Sequence, residues 1–133
     1  VATVCMYRTA SITADTARLL GHQDDTEYFE QLAARVQASF LEHYVAADGT
    51  IRSDCTTVYA LAIAFGILPS AEHIDFAGER LAELVRKNNY RVSTGFAGTP
   101  FITDALTDTG HLDDTWNGRP ACGFHNRQRS RGP

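Results

Sequence analysis

VYALAIAF, residues 58–65, is apolar on every face if it folds as a helix. Such a helix is stable only where other parts of a protein surround it. A buried β-strand is the alternative, but the alanines and the capping residues just upstream, Ser53 and Asp54, favour the helix. The segment therefore predicts a helix at the centre of the fold.

The segments around it carry one apolar stripe each, which is typical of helices that cover a core from outside. An alanine-rich helix over residues 4–20 is predicted to end at Gly21, a second to begin at an Asp24 cap, and a fourth to begin at a Ser70 cap. The stripes of the second and fourth helices are Tyr28, Leu32, Val36, Phe40 and Tyr44, and Ile74, Ala77, Leu81, Leu84 and Val85.

Apolar and amphipathic helices thus alternate along the chain, which implies an inner and an outer layer. The predicted fold class is all-α, with helical hairpins forming part of an α/α toroid or a solenoid. No repeat of fixed length is present, which disfavours the solenoid.

Charge divides the chain unequally. The formal net charge is −4, and all sixteen acidic residues lie at or before Asp114. An acidic body argues against nucleic acid as a partner. Beyond Asp114 lie Arg119, Arg127, Arg129 and Arg131 among Gly, Pro, Asn and Gln, so residues 1–114 are predicted to form the domain and residues 115–133 an irregular basic tail.

The sequence contains no pattern typical of a membrane helix, a metal site or a cofactor site. No apolar run reaches the roughly 18 residues of a membrane helix, and no secretory signal opens the sequence, which predicts a soluble cytoplasmic protein. The five histidines and three cysteines do not fall at metal-ligand spacing. No nucleotide or phosphate fingerprint is present, so neither a metal nor a cofactor is expected.

The connection NNYRVSTGFAGTPF, residues 88–101, contains two glycines and a proline amid aromatic residues. Glycine permits close backbone approach, and Phe96 between the glycines would then be presented to a ligand. A tight turn between helices with Phe96 in the core is the alternative.

Three stretches, in this order and spacing, resemble the catalytic (α/α)6 barrel of bacterial α-L-rhamnosidases of glycoside hydrolase family 78. They are ARLLGH (17–22), YALAIAFGILP (59–69) and STGFAGTP (93–100), supported by residues 44–54. The resemblance extends over about residues 1–114 and implies inverting hydrolysis of terminal α-L-rhamnosides by a full enzyme.

The resemblance also implies a position for the substrate cleft, at the end of the barrel where the inner helices begin. Residues 53–57 and 94–99 would then lie at its mouth. The implied substrate-binding residues are Asp54, Thr56, Thr94, Gly95, Phe96, Gly98 and Thr99. The family usually has Thr-Gln-Thr where this chain has Cys55-Thr56-Thr57, so a glutamine contact is in doubt at Thr56, and a helix-capping role is the simpler interpretation of Asp54.

No catalytic residue is expected. Inverting hydrolysis needs two carboxyl groups roughly 6.5–9.5 Å apart, and the family's acid motif and its Trp-Glu-x-Trp segment are both missing from this sequence. We therefore expect an enzyme fragment that is inactive alone. The alternative is a non-catalytic helical interaction module, with a homo-oligomer formed through an open apolar flank of residues 58–65.

Overall fold

The computed structural model describes residues 1–91 and 93–117, with side chains up to residue 114. Six helices occur among these residues and no β-strand: α1 Ala2–Leu20, α2 Gln23–Tyr44, α3 Thr56–Ala64, α4 Ala71–Lys87, α5 Gly95–Asp108 and α6 Leu112–Asn117. The all-α prediction is confirmed. The irregular tail was predicted for residues 115–133; residues 115–117 lie in α6, and 118–133 lie outside the described part.

The helices pack as hairpins in chain order. α1 lies along α2, α3 contacts both α4 and α5, and α5 contacts α6. The predicted central helix is confirmed in α3, where all residues from Val58 to Ala62 are 3% exposed or less. The core forms around them and includes Phe40 from α2, Leu81 from α4 and Leu106 from α5.

Two of the four predicted helix caps are correct. Gly21 ends α1 in the left-handed region at φ 78°, and the Ser70 hydroxyl accepts the His73 backbone N–H at 3.3 Å. The predicted Asp24 cap is wrong, because α2 begins at Gln23 and Asp24 lies inside its first turn. A carboxylate there still interacts favourably with the helix dipole.

The outer helices bury the middle of their predicted stripes. In α2, Val36 and Phe40 are buried, whereas Tyr28 is 58% exposed and Tyr44 is 43% exposed. In α4, Ala77, Leu81, Leu84 and Val85 are buried as predicted. The buried part of the α2 stripe is thus shorter than the stripe that the sequence predicts.

The flank of residues 58–65 that was expected to be open is closed at Val58–Ala62, and residues 63–65 are half-buried. Phe65, at the end of α3, packs edge-on against Phe101 of α5 with ring centroids 5.0 Å apart. The Arg8 guanidinium of α1 lies 5.7 Å from the centroid of the same ring. The prediction was wrong for Val58–Ala62 because α4 and α5 already cover this part of α3, and the large apolar side chains that stay exposed lie elsewhere.

Candidate functional site

The two segments predicted to form the cleft mouth meet where α3 and α5 begin. The Thr56 hydroxyl lies 3.0 Å from the Ser93 hydroxyl, and the Thr57 hydroxyl donates to the Thr94 carbonyl at 2.9 Å. Thr56 and Thr94 are both buried. These two hydrogen bonds fix the entry to α5 beside the first turn of α3, across 37 residues of sequence.

The glycine-rich segment is helical, although the sequence predicted a connection there. α5 begins at Gly95, whose φ of +60° turns the chain into the helix. The Thr99 hydroxyl donates to the Gly95 carbonyl at 2.6 Å and lies 2.9 Å from the Thr94 hydroxyl. A threonine hydroxyl has one proton, and that of Thr99 is donated to the Gly95 carbonyl. The Thr94 hydroxyl is therefore the donor in its hydrogen bond with the Thr99 hydroxyl.

Gly98 faces α3 and is buried. A Cβ at this position would lie 2.9 Å from the Thr94 Cβ and 3.0 Å from the Thr57 Cγ2, closer than side chains tolerate. Gly98 therefore lets α5 approach α3 closely, and the glycine serves the packing of the mouth.

Phe96 lies at the same end of α5 and is 99% exposed. The alternative that placed Phe96 in the core is wrong. A fully exposed phenylalanine in the first turn of a helix offers an aromatic face beside the threonine hydroxyls.

The Asp54 side chain binds Arg80 of α4 and does not cap α3. Its carboxylate accepts Arg80 Nε at 2.9 Å and Arg80 Nη2 at 2.7 Å, and it accepts the Tyr59 hydroxyl at 3.1 Å. The predicted capping role is wrong, because the N-cap of α3 is Cys55. Asp54 sits at φ +34°, a left-handed conformation in which its carboxylate reaches α4.

The cluster of Asp54, Arg80 and Tyr59 holds the loop before α3 in place. The Arg80 guanidinium keeps the pKa of Asp54 below its usual range. Tyr59 is fully buried, its hydroxyl also accepts the Ile51 backbone N–H at 3.1 Å, and burial raises its pKa to about 12. Sequence reasoning missed this cluster because Arg80 falls on the polar face of α4, where a charge is usually solvated.

The exposed groups at this end of the hairpins are Thr99 and Phe96, whereas the Thr56 and Thr94 side chains are buried. Proton donation to a leaving group needs a carboxyl group whose pKa is raised, whereas that of Asp54 is lowered. Within residues 1–91 and 93–117, no group of His, Cys, Asp or Glu side chains is arranged to hold a metal ion. None of the helices in that part is long and apolar enough to cross a bilayer. The cytoplasmic location stays a prediction.

Stacked hairpins with a buried inner helix and a polar mouth define a protein of the α/α hairpin class. Residues 1–117 match the model of the bacterial alpha-L-rhamnosidase 6 hairpin glycosidase domain. The chain belongs to this family.

Relatives of known sequence agree with that assignment. The chain is 34% identical over 113 residues to an alpha-L-rhamnosidase of Streptomyces avermitilis, and 33% identical over 116 residues to one of Formosa agariphila. These alignments cover 85% of the chain in each case, but 11% and 12% of the relatives. The chain thus spans about a ninth of the length of the relatives that it matches.

Two solved structures share the hairpin arrangement. The Streptomyces avermitilis alpha-L-rhamnosidase complexed with L-rhamnose matches with a TM-score of 0.81 and 33% identity, over 88% of this chain and 11% of that one. The native Aspergillus terreus enzyme matches with a TM-score of 0.79 and 26% identity, over 84% and 13%. The predicted family and fold are therefore confirmed.

Proposed function

We propose that this chain forms part of the sugar-binding mouth of an α-L-rhamnosidase and binds a terminal rhamnoside without cleaving it alone. The observation that carries the proposal is the pair of hydrogen bonds, Thr56 to Ser93 and Thr57 to Thr94, that joins the starts of α3 and α5. They bring the predicted binding residues Thr56, Thr94 and Thr99 to the end of the hairpins where Phe96 is exposed.

The chemistry of this end suits a deoxysugar. The first turn of a helix has backbone N–H groups that make no intrahelical hydrogen bond, and sugar hydroxyls can accept from them. The ring of Phe96 offers an apolar face to the C–H groups and the methyl group of a rhamnose. Gly95 and Gly98 contribute by backbone shape, because they allow the helix start and the close approach of α5.

Asp54 is assigned a supporting part in this proposal. Its carboxylate is occupied by Arg80 and Tyr59, so it holds the loop before Cys55 and leaves sugar contact to the exposed Thr99 and Phe96. The two carboxyl groups that hydrolysis needs would come from regions of a whole enzyme that this sequence does not contain.

A titration of the ¹⁵N-labelled chain with L-rhamnose, monitored by NMR, tests the proposal. We expect shifts confined to residues 56–57 and 93–99, with a Kd of about 1 mM or weaker, because one sugar makes few contacts. L-mannose, which carries a hydroxyl in place of one methyl hydrogen, serves as the matched ligand and should bind more weakly.

Two variants give the test its control. Phe96→Ala should weaken rhamnose binding about tenfold, whereas Tyr28→Ala, which removes an exposed ring from α2, should leave it unchanged. Shifts that are absent, or that respond equally to both variants, would reject the binding site. An aryl α-L-rhamnoside should not be hydrolysed, and turnover abolished by one acidic substitution would contradict the non-catalytic part.

A helical interaction module is the second candidate. The observation that favours it is the exposed apolar surface of α1, which includes Met6, Ile12 and Leu19. The homo-oligomer expected from the sequence belongs to this candidate.

A further inference from the structure

The sugar-binding mouth carries positive charge in a chain that is acidic overall. Sixteen acidic residues outnumber twelve basic ones in the full sequence. Between Glu83 and Asp104, however, no acidic residue occurs, and this stretch leads from the end of α4 into α5. Its basic residues are Arg86, Lys87 and Arg91. Positive charge is therefore concentrated beside the residues that the proposed function assigns to sugar binding.

Lys87 and Arg91 flank the turn that joins α4 to the mouth. Within this turn the Asn88 Nδ2 group donates to the Ser93 hydroxyl at 3.1 Å. The Ser93 hydroxyl in turn lies 3.0 Å from the Thr56 hydroxyl at the start of α3. Lys87, Arg91 and Ser93 are all exposed. Two cations and a hydroxyl thus lie together at the edge of the mouth.

The backbone of this turn is held in an unusual conformation. Asn89 and Tyr90 lie at φ 51° and 58°, in the left-handed region. A bulky residue persists there only where the surrounding structure enforces it. The Tyr90 side chain packs against the core, and its N–H donates to the Val85 carbonyl at 3.0 Å. The Arg91 N–H donates to the Asn88 carbonyl at 3.1 Å, which keeps Arg91 close to the end of α4.

The carboxylates that contact this region have other partners. Asp54 and Glu83 pair with Arg80, and Asp114 pairs with Arg86. Asp48 lies with Glu72 in a groove beside the start of α4, at the opposite end of that helix from Lys87. Arg86 is therefore neutralised by its own carboxylate.

Lys87 and Arg91 are the cations that stay available. Among the side chains that the structure describes, none forms an ion pair with either of them. Glu83 lies one turn before Lys87 but binds Arg80, and Lys87 acts on Asp54 only as a nearby charge that helps to lower its pKa. The dipole of α4 accounts for a lysine in its last turn, whereas Arg91 lies beyond the helix.

We propose that Lys87 and Arg91 bind an anionic group, a carboxylate or a sulfate, on the saccharide whose terminal rhamnose occupies the mouth. This inference rests on the proposed function and names its substrate class, namely rhamnosides that carry a negative charge on the rhamnose or on the adjoining sugar. The Lys87 ammonium donates to the anion as a point charge, and the Arg91 guanidinium can donate two parallel N–H groups to two of its oxygens. Because both cations are exposed, water and salt screen the interaction and the preference is moderate.

Two matched pairs of ligands, titrated into the ¹⁵N-labelled chain and monitored by NMR, test the inference. One pair is L-rhamnose and L-rhamnose monosulfate. The other is α-L-rhamnosyl-glucuronic acid and its carboxyl-reduced counterpart, α-L-rhamnosyl-glucose. The anionic member should bind about three- to tenfold more tightly and shift residues 87–91 as well. Raising NaCl from about 10 mM to about 1 M should abolish the preference, because the Debye length falls from about 30 Å to about 3 Å.

A double variant and a matched control identify the cations. In Lys87→Gln/Arg91→Gln the ratio of the two affinities should fall to about one. Arg35→Gln, which removes an exposed cation from α2, should leave the ratio unchanged. Circular dichroism checks folding. If the double variant unfolds, the two single variants replace it, and each should lower the ratio.

The outcomes separate this inference from the proposed function. Neutral rhamnose that shifts residues 56–57 and 93–99, with equal affinities within both pairs, overturns the inference and leaves the proposed function standing. Absence of binding by all four sugars overturns both. A preference that survives the double variant, or that Arg35→Gln reduces equally, also overturns the inference. A preference within one pair alone supports it and identifies the anion as a carboxylate or a sulfate.

Discussion

α1 and α3 belong to successive helical hairpins, but α3 is buried whereas one face of α1 is exposed. α3 has an apolar sequence and buries every residue from Val58 to Ala62, whereas α1 leaves Ile12 48% exposed and Leu19 88% exposed. α3 has neighbours in α4 and α5, and α1 has one long contact, with α2. An inner helix is therefore stabilised according to the number of hairpins around it, and the same substitution should cost different amounts in the two helices.

The largest expected difference comes from matched truncations in those helices. Leu61→Ala removes a side chain that is 1% exposed in α3, and it should lower the free energy of unfolding by about 2–5 kcal/mol. Ile12→Ala removes a half-exposed side chain in α1 and should cost less than about 1 kcal/mol. Urea unfolding followed by circular dichroism measures both, and equal losses would show that α1 and α3 are equally covered.

The close approach of α5 to α3 provides the next test. Gly98→Ala places a Cβ about where Thr57 and Thr94 already lie, and such overpacking costs about 1–3 kcal/mol. Thr57→Ser removes the Cγ2 that lies 3.0 Å from that Cβ. The double variant should recover part of the loss, and a Gly98→Ala chain as stable as the wild type would mean that α5 can move away freely.

The start of α4, which covers α3, should be sensitive to its cap. Ser70→Ala removes the acceptor of the His73 N–H and should cost about 1 kcal/mol. Asp24→Ala, at the position wrongly predicted to cap α2, should cost less, since only the interaction with the helix dipole is lost. Thermal unfolding of the two variants compares them, and a larger loss for Asp24→Ala would restore the sequence prediction.

The sequence revealed most of the fold because periodicity reports burial directly. A segment apolar on every face, residues 58–65, has to lie inside, and the stripe of α4 defines its inner face at Leu81 and Val85. The extent of coverage was not predictable, because it depends on which hairpins are present around a helix. The sequence therefore predicted an exposed apolar flank on α3, whereas the structure has the exposed apolar surface on α1.

The sequence predicted only part of the candidate site. The segments that contain Thr56 and Thr94 could be placed together through a family resemblance, and the hydrogen bonds between Thr56 and Ser93 and between Thr57 and Thr94 join these segments. The link between Asp54 and Arg80 joins residues 26 positions apart, and no local pattern indicates such a pair. A capping residue and an ion-pair partner are both carboxylates before a helix, so the sequence alone does not separate the two roles.

The smallest effect concerns that link, which joins the loop before α3 to α4. Because Arg80 lowers the pKa of Asp54 in the folded chain, its contribution to stability is present above the unfolded pKa of about 3.9 and is lost as the pH falls through the folded value. Asp54→Asn should therefore destabilise the chain at neutral pH. The difference from wild type should shrink as the pH falls below about 4.

The Asp54 effect should be modest, because the side chains of Asp54 and Arg80 are 37% and 33% exposed and solvent screens the pair. Arg80→Lys is the matched control, since lysine keeps the charge but loses the paired hydrogen bonds to both carboxylate oxygens. It should lose about as much stability as Asp54→Asn and keep a weaker dependence on pH. Urea unfolding at pH 7, pH 5 and pH 3 measures both variants. A loss that is the same at all three pH values would show that Asp54 supports α3 through its left-handed backbone and not through its charge.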